Sequence, residues 1–198
     1  TIGYYKSFYE RDSLYKNAID FLNEKRIKLQ VIDAPQIRLE GFAKILDEDM
    51  RYDLRSYLFF YGNKNLKVED ISTIIKYNEM DSIERAPYGQ GIFKNIIQDT
   101  MSINDFEDLR FELMKKGNEF FDIPMDKYNL DAVLSINNYH AGYAAMAHNP
   151  CLTVPMRLRK NNEPTGLTII GKSFQEQKLY EIGYFFEKIY KGRIPPKN

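Results

Sequence analysis

The sequence predicts an α/β protein in which about five strands and six helices are arranged in layers, and three observations carry that prediction. Apolar runs of strand length, such as Ala132–Ile136, alternate with longer segments whose apolar residues recur at helical spacing. Pro35, and Pro87 with Gly89, interrupt the pattern between such segments. The composition, 43% hydrophobic and 28% charged over 198 residues, belongs to a globular chain able to bury a core, and one domain spanning 1–198 is the expectation.

Taken in order, Ile2–Tyr5 reads as a short buried strand. Asp12 and Ser13 are cap candidates for a helix carrying Leu14, Ala18, Phe21 and Leu22 on one face. Lys28–Asp33 is a second strand, ended by Pro35, which cannot donate a ladder bond. Helix follows from Ile37 to Phe60, then in two shorter pieces, Val68–Tyr77 and Gly91–Asp99, with Pro87 and Gly89 breaking the periodicity between them. Ser102 and Asp105 form a capping-box-like start for a helix through Phe111, Met114 and Phe121. Ala132–Ile136 is a third strand. Cys151–Pro155 and Leu167–Ile170 are a fourth and fifth, joined by the polar turn Lys160–Thr165. Gln175–Tyr190 closes the chain as a helix with Leu179, Ile182, Phe186 and Ile189 on one face. Five strands make either a small complete sheet or the trailing part of a larger one.

The charge balance is even, with 28 Lys and Arg against 28 Asp and Glu, so no net field recruits nucleic acid or an anionic membrane. No apolar run reaches the roughly 20 residues that span a bilayer, and the N-terminal stretch has no signal-peptide pattern. One cysteine, Cys151, excludes an internal disulfide framework and suits a reducing, cytoplasmic setting. A start at Thr1, without Met and directly on a strand, suggests a piece of something longer. The 15 Tyr and 13 Phe accompany abundant Lys, Asn and Ile, which reads as composition bias rather than a binding surface.

Gly166-Leu-Thr-Ile-Ile-Gly171-Lys172-Ser173 matches the spacing of a phosphate loop, with Asp33 as a conceivable magnesium ligand. The residues between the glycines favour an extended strand, which commits N–H groups to sheet pairing instead of wrapping phosphate. Nucleotide binding is therefore not expected. His148 and Cys151 stand three apart, yet Cys151 begins an apolar strand, where a free thiol behaves as a small buried hydrophobe. His140 and His148 are the two histidines of the chain and have no partners at metal-ligand spacing, so neither a metal nor another cofactor is expected.

The last third carries a set of segments in order: Leu130–His140, Ala144–Pro155, Glu163–Gly171, Phe174–Leu179 and Gly192–Pro196. In order and spacing they resemble the C-terminal end of amidase-signature hydrolases. More loosely, Ile2–Tyr5 resembles the strand that follows the catalytic core of that family, and Arg85–Gln90 resembles a segment of some members. The resemblance implies part of a layered α/β/α sandwich with a mixed sheet. It also implies hydrolysis of a carbon–nitrogen amide bond through an acyl-enzyme, with a Lys base, a bridging Ser and a nucleophilic Ser in a Gly/Ser-rich loop. Here the serines, from Ser7 to Ser173, stand singly, and that loop is absent. No catalytic residue is assigned, and the chain alone is expected to be inactive.

The resemblance implies a small amide substrate for an intact parent, with Asn137, Asn138 and Tyr139, after the third strand, facing the ligand. General physics agrees, because ligands of open α/β sheets bind beyond carboxyl strand ends. The competing reading is that Asn137 and Asn138 shape a turn through side-chain to backbone bonds. Two departures from the family pattern bear on pocket shape: His148-Asn149-Pro150, and Arg157 where Gly is usual. A non-catalytic module, either paired with a separate N-terminal half or self-associating through exposed strand edges, is the alternative class.

Overall fold

A computed structural model describes residues 1–98 and 101–196, so Asp99, the expected end of one helix, lies outside the described residues. The chain divides into two compact units: Thr1–Leu39 together with the residues from Leu113 onward, and Glu40–Glu112.

The first unit is built on a five-stranded mixed sheet of β1 (Ile2–Tyr5), β2 (Leu29–Ile32), β3 (Ala132–Ile136), β4 (Cys151–Leu158) and β5 (Pro164–Ile170), in the order β2-β1-β3-β5-β4. β1 lies parallel to both β2 and β3, while β5 runs antiparallel to β3 and β4. All five residues of β3 are buried, which suits the central strand of a sheet covered on both faces.

One face packs Leu134, Leu167, Ile169 and Met156 against helix α2 (Ser13–Glu24), through Tyr15, Ala18 and Leu22, and against helix α9 (Glu176–Tyr190), through Leu179 and Phe186. Gly183 lets α9 approach closely, since a Cβ there would meet Leu152 Cδ2 at 2.5 Å. The opposite face packs Tyr5, Ile32, Val133 and Ile170 with Phe120, Phe121 and Met125 of helix α7 (Ile103–Tyr128) and Ala144 of helix α8 (Ala141–Met146). Helix, sheet and helix are the layers predicted.

Asp12 caps α2 as expected, its carboxylate accepting from Leu14 N at 3.0 Å and Tyr15 N at 2.9 Å. That cap presents Tyr15 to the sheet. Its buried hydroxyl donates to Leu134 O at 2.7 Å and accepts from Tyr5 N at 3.3 Å, tying α2 to β3 and β1.

The second unit is helical: α3 (Phe42–Tyr61), α4 (Ile71–Glu79), α5 (Ser82–Arg85), α6 (Gly91–Gln98) and the first turns of α7. Ile71, Ile75 and Ile96 are its buried cluster, with Leu54 and Phe93 packed against them. Asp70 and Thr73 form a reciprocal capping box at the start of α4. Glu48 is buried, and it stands 3.5 Å from Arg51 and accepts from Met101 N at 3.0 Å.

Several boundaries differ from the sequence reading, each for a local reason. α3 begins at Phe42 rather than Ile37, because Gly41 adopts φ 91, a left-handed geometry that interrupts helix. The capping pair Ser102 and Asp105 forms, but α7 continues past Phe121 to Tyr128 with Pro124 inside it. β4 continues beyond Pro155 to Leu158 through a bulge, which the edge of a sheet tolerates. α1 (Lys6–Arg11), α5 and α8 are short additional helices, bringing the described residues to nine against the six predicted. Each spans at most six residues, too few to show a helical period.

Replacing Tyr15 by Phe removes one hydroxyl that serves two strands at no cost in ring packing. Urea unfolding of the Tyr15→Phe variant should show a loss of about 1–2 kcal/mol, because the buried groups it served lose a partner.

Candidate functional site

β3 ends at Ile136, and the next residue sets the geometry of everything beyond. Asn137 adopts φ 47, the left-handed conformation that Asn tolerates better than most side chains. Its backbone N–H donates to Gly166 O at 3.0 Å while its side-chain oxygen accepts from Gly166 N at 2.8 Å. The Asn137 carbonyl accepts from the Thr168 hydroxyl. With that proton committed, Thr153 donates in the 2.8 Å contact between the Thr153 and Thr168 hydroxyls. Four hydrogen bonds thus tie the turn after β3 to β5 and β4.

Beyond this turn lies a cavity of about 600 Å³. Asn137 and Asn138 line it together with Gly166 of β5 and Thr153, Pro155 and Arg157 of β4. Arg193, in the segment after α9, also lines it. Asn138 is exposed, with no side-chain hydrogen bond among the described residues. Thr165 also lines the cavity; its hydroxyl is buried, with no hydrogen-bond partner among the described residues. A volume of this size suits a small molecule.

Of the three residues expected to face a ligand, the structure brings Asn137 and Asn138 to the cavity and leaves Tyr139 out of its lining. The Asn137 side chain is already bonded into the turn, so Asn138 is the one with free donors and an acceptor. Tyr139 packs edge-on against Phe8, ring centres 4.9 Å apart, and against His140 at 5.1 Å. Arg157 was legible in the sequence only as an unusual residue; Thr165 and Arg193 lie in segments that carry the resemblance, but nothing in them marks either as a site residue, since three separate segments meet here.

The other polar constellation of this region is closed to ligands. Ser135 Oγ and His140 Nδ1 are 2.8 Å apart, both residues buried. Tyr5, Phe8 and Phe120 surround the imidazole with ring centres 4.5, 5.4 and 5.2 Å away. Burial pulls the His140 pKa down to about 4, from 6.5, which keeps it neutral at physiological pH. A serine and histidine sealed in this way serve packing, not nucleophilic attack.

Two further sequence expectations are resolved by position. Gly166–Ile170 belongs to β5, and Lys172 is engaged by Asp126 at 2.5 Å, so the stretch through Ser173 forms no phosphate loop. Cys151 opens β4 as expected but is exposed rather than buried in the core. Partial burial around the sulfur still pushes the thiol above its ordinary value, opposite to what a nucleophile requires. Among the described residues no group of three or more His, Cys, Asp or Glu comes together to hold a metal. None of their helices is long and apolar enough to cross a membrane.

No protein-family model matches the chain. A component of the glutamyl-tRNA(Gln) amidotransferase of Sulfurihydrogenibium sp. is 26% identical over 138 residues, covering 69% of this chain and 24% of that protein. An amidase family protein from Bacillus anthracis superposes with a TM-score of 0.84 at 27% identity, over 100% of this chain and 40% of that one. A bacterial aryl acylamidase of the amidase signature family shares the fold, with a TM-score of 0.65 at 12% identity over 94% of this chain and 43% of that one. The chain therefore spans about a quarter of the sequence relative and about two fifths of the solved structures.

Two outcomes follow for this region. Asn137→Ala loses both the side-chain bond to Gly166 and the tolerance of positive φ, and should lower the unfolding free energy by about 2 kcal/mol in a urea titration; Asn137→Gly, which keeps the backbone freedom, should lose less. His140, whose folded pKa lies below its unfolded value, adds stability that is present above pH 6.5 and lost as pH falls toward 4. The loss should be on the order of 3 kcal/mol, and His140→Gln should flatten the stability profile across that window.

Proposed function

We propose that this chain, a member of the amidase signature family, is the C-terminal half of an amidase-like domain whose parent hydrolyses a carbon–nitrogen amide bond. In this reading residues 1–198 act as one piece. Polypeptide outside them supplies the nucleophilic serine, the bridging serine and the lysine base, and the cytoplasm is the setting.

The observation that supports the reading best is the match itself. The whole chain superposes on two fifths of an amidase family protein, while its one buried serine–histidine pair is walled in by aromatic rings. The chain thus has the frame of an amide hydrolase without an accessible nucleophile and base of its own.

Chemistry then divides between the two parts. The parent's serine attacks the amide carbonyl, the amine or ammonia leaves with a proton from the base, and water frees the acyl group. The present residues contribute position: the turn fixed by Asn137 holds Asn138 at the carboxyl end of β3, where its amide can orient a small amide substrate.

The test compares two proteins on simple aliphatic and aromatic amides. The 198-residue chain alone should release no ammonia above the blank, whereas a parent that carries an upstream Lys and Ser-Ser segment in frame should turn over. In that parent Asn138→Ala should lower kcat/KM about tenfold, equivalent to one lost hydrogen bond, with its unfolding curve unchanged. Turnover by the chain alone, or an upstream sequence without those residues, would sink the proposal.

A further inference from the structure

The cavity beyond β3 carries a charge pattern that amide hydrolysis does not require. Its lining holds two arginines, Arg157 and Arg193, and no aspartate or glutamate. The chain as a whole has a net charge of zero, so this positive concentration is local.

Among the described residues no carboxylate forms an ion pair with Arg157 or Arg193, whereas Arg159, two positions beyond Arg157 and outside the lining, is 2.6 Å from Asp12 and 3.9 Å from Glu163. The contrast falls within one strand end. A bulge between Pro155 and Arg157 shifts the register of β4 against β5 where the cavity opens, and bulges commonly re-aim side chains. The Arg157 guanidinium sits 5.9 Å from the centre of the Tyr190 ring and interacts with the Tyr190 hydroxyl, an uncharged partner that does not balance its positive charge.

A polar group complementary to an oxyanion completes the lining: the exposed Asn138 amide, which has no side-chain hydrogen bond among the described residues. A guanidinium presents paired N–H donors at the spacing of two carboxylate or phosphoryl oxygens.

We propose that this cavity binds a small molecule through an oxyanion group, a carboxylate or a phosphoryl, held by Arg157 and Arg193. The site stands on its own lining and would bind whether or not the parent hydrolyses amides. A volume of about 600 Å³ accommodates a compact metabolite-sized anion rather than a polymer.

The test is a titration of the full isotopically labelled chain, followed by backbone amide resonances. Succinamate is the carboxylate probe, inorganic phosphate the phosphoryl probe, and succinamide the uncharged isostere of the first. Saturable shifts should appear at Asn137, Asn138, Thr165 and Gly166 with at least one anion, and whichever saturates lower identifies the preferred group. Succinamide should bind at least about tenfold more weakly, and Arg157→Gln and Arg193→Gln should each cost about tenfold in affinity. Arg193 lies outside every strand and helix, so its variant probes the cavity even if Arg157→Gln disturbs β4. Equal binding of succinamide, unchanged affinity in both variants, or no saturable shift at these amides up to about 50 mM of either anion would overturn the proposal. Ammonia release is not read in this titration, so its outcome is separate from that of the hydrolase reading.

Discussion

The bonds between Asn137 and Gly166 organise the sheet region from which function is argued. A parallel neighbour of β1 that ended freely would need a crossover before the next strand could pair. Here the chain leaves β3, forms α8 and β4, and returns as β5 beside β3 in the antiparallel sense. The pairing of Ile136 with Leu167 is extended by one residue: the Asn137 N–H donates to Gly166 O, and its side chain replaces the backbone acceptor while its own carbonyl turns to the Thr168 hydroxyl. That substitution permits a positive φ at the strand end without leaving Gly166 N–H unpaired. It also opens the space beyond β3 that becomes the cavity.

The two faces of the same sheet are held by different devices. On one, α2 and α9 supply mainly aliphatic cover, and the Tyr15 hydroxyl adds a directional anchor to β1 and β3. On the other, an aromatic cluster around His140 fills the space under α7 and α8. A neutral imidazole bonded to Ser135 is tolerable there because burial disfavours its charged form.

The division of labour across the family fold has a physical logic. A nucleophile, its base and its oxyanion donors must be held to within a fraction of an ångström, so they sit together on one segment. Recognition surfaces can come from elsewhere in the fold. The present chain has the frame and a positively lined recess, while its hydroxyl and imidazole pair lies behind aromatic rings.

Much of this was legible in the sequence. Alternating short apolar runs and helical periodicities gave the α/β class and all five strands, because burying a two-sided sheet demands those patterns. The strand-like residues between Gly166 and Gly171 ruled against a phosphate loop for the reason the structure displays, N–H groups already committed to pairing. The place of Asn137 and Asn138 directly after the third strand was legible. Their different duties were not, since only the distance to Gly166 N separates a turn-former from a free amide. The start of α3, the exposure of Cys151 and the meeting of Arg157, Thr165 and Arg193 were settled by tertiary structure. Local sequence encodes periodicity and propensity over a few residues; a cavity is made by segments dozens of residues apart, and its charge depends on which of them find partners elsewhere.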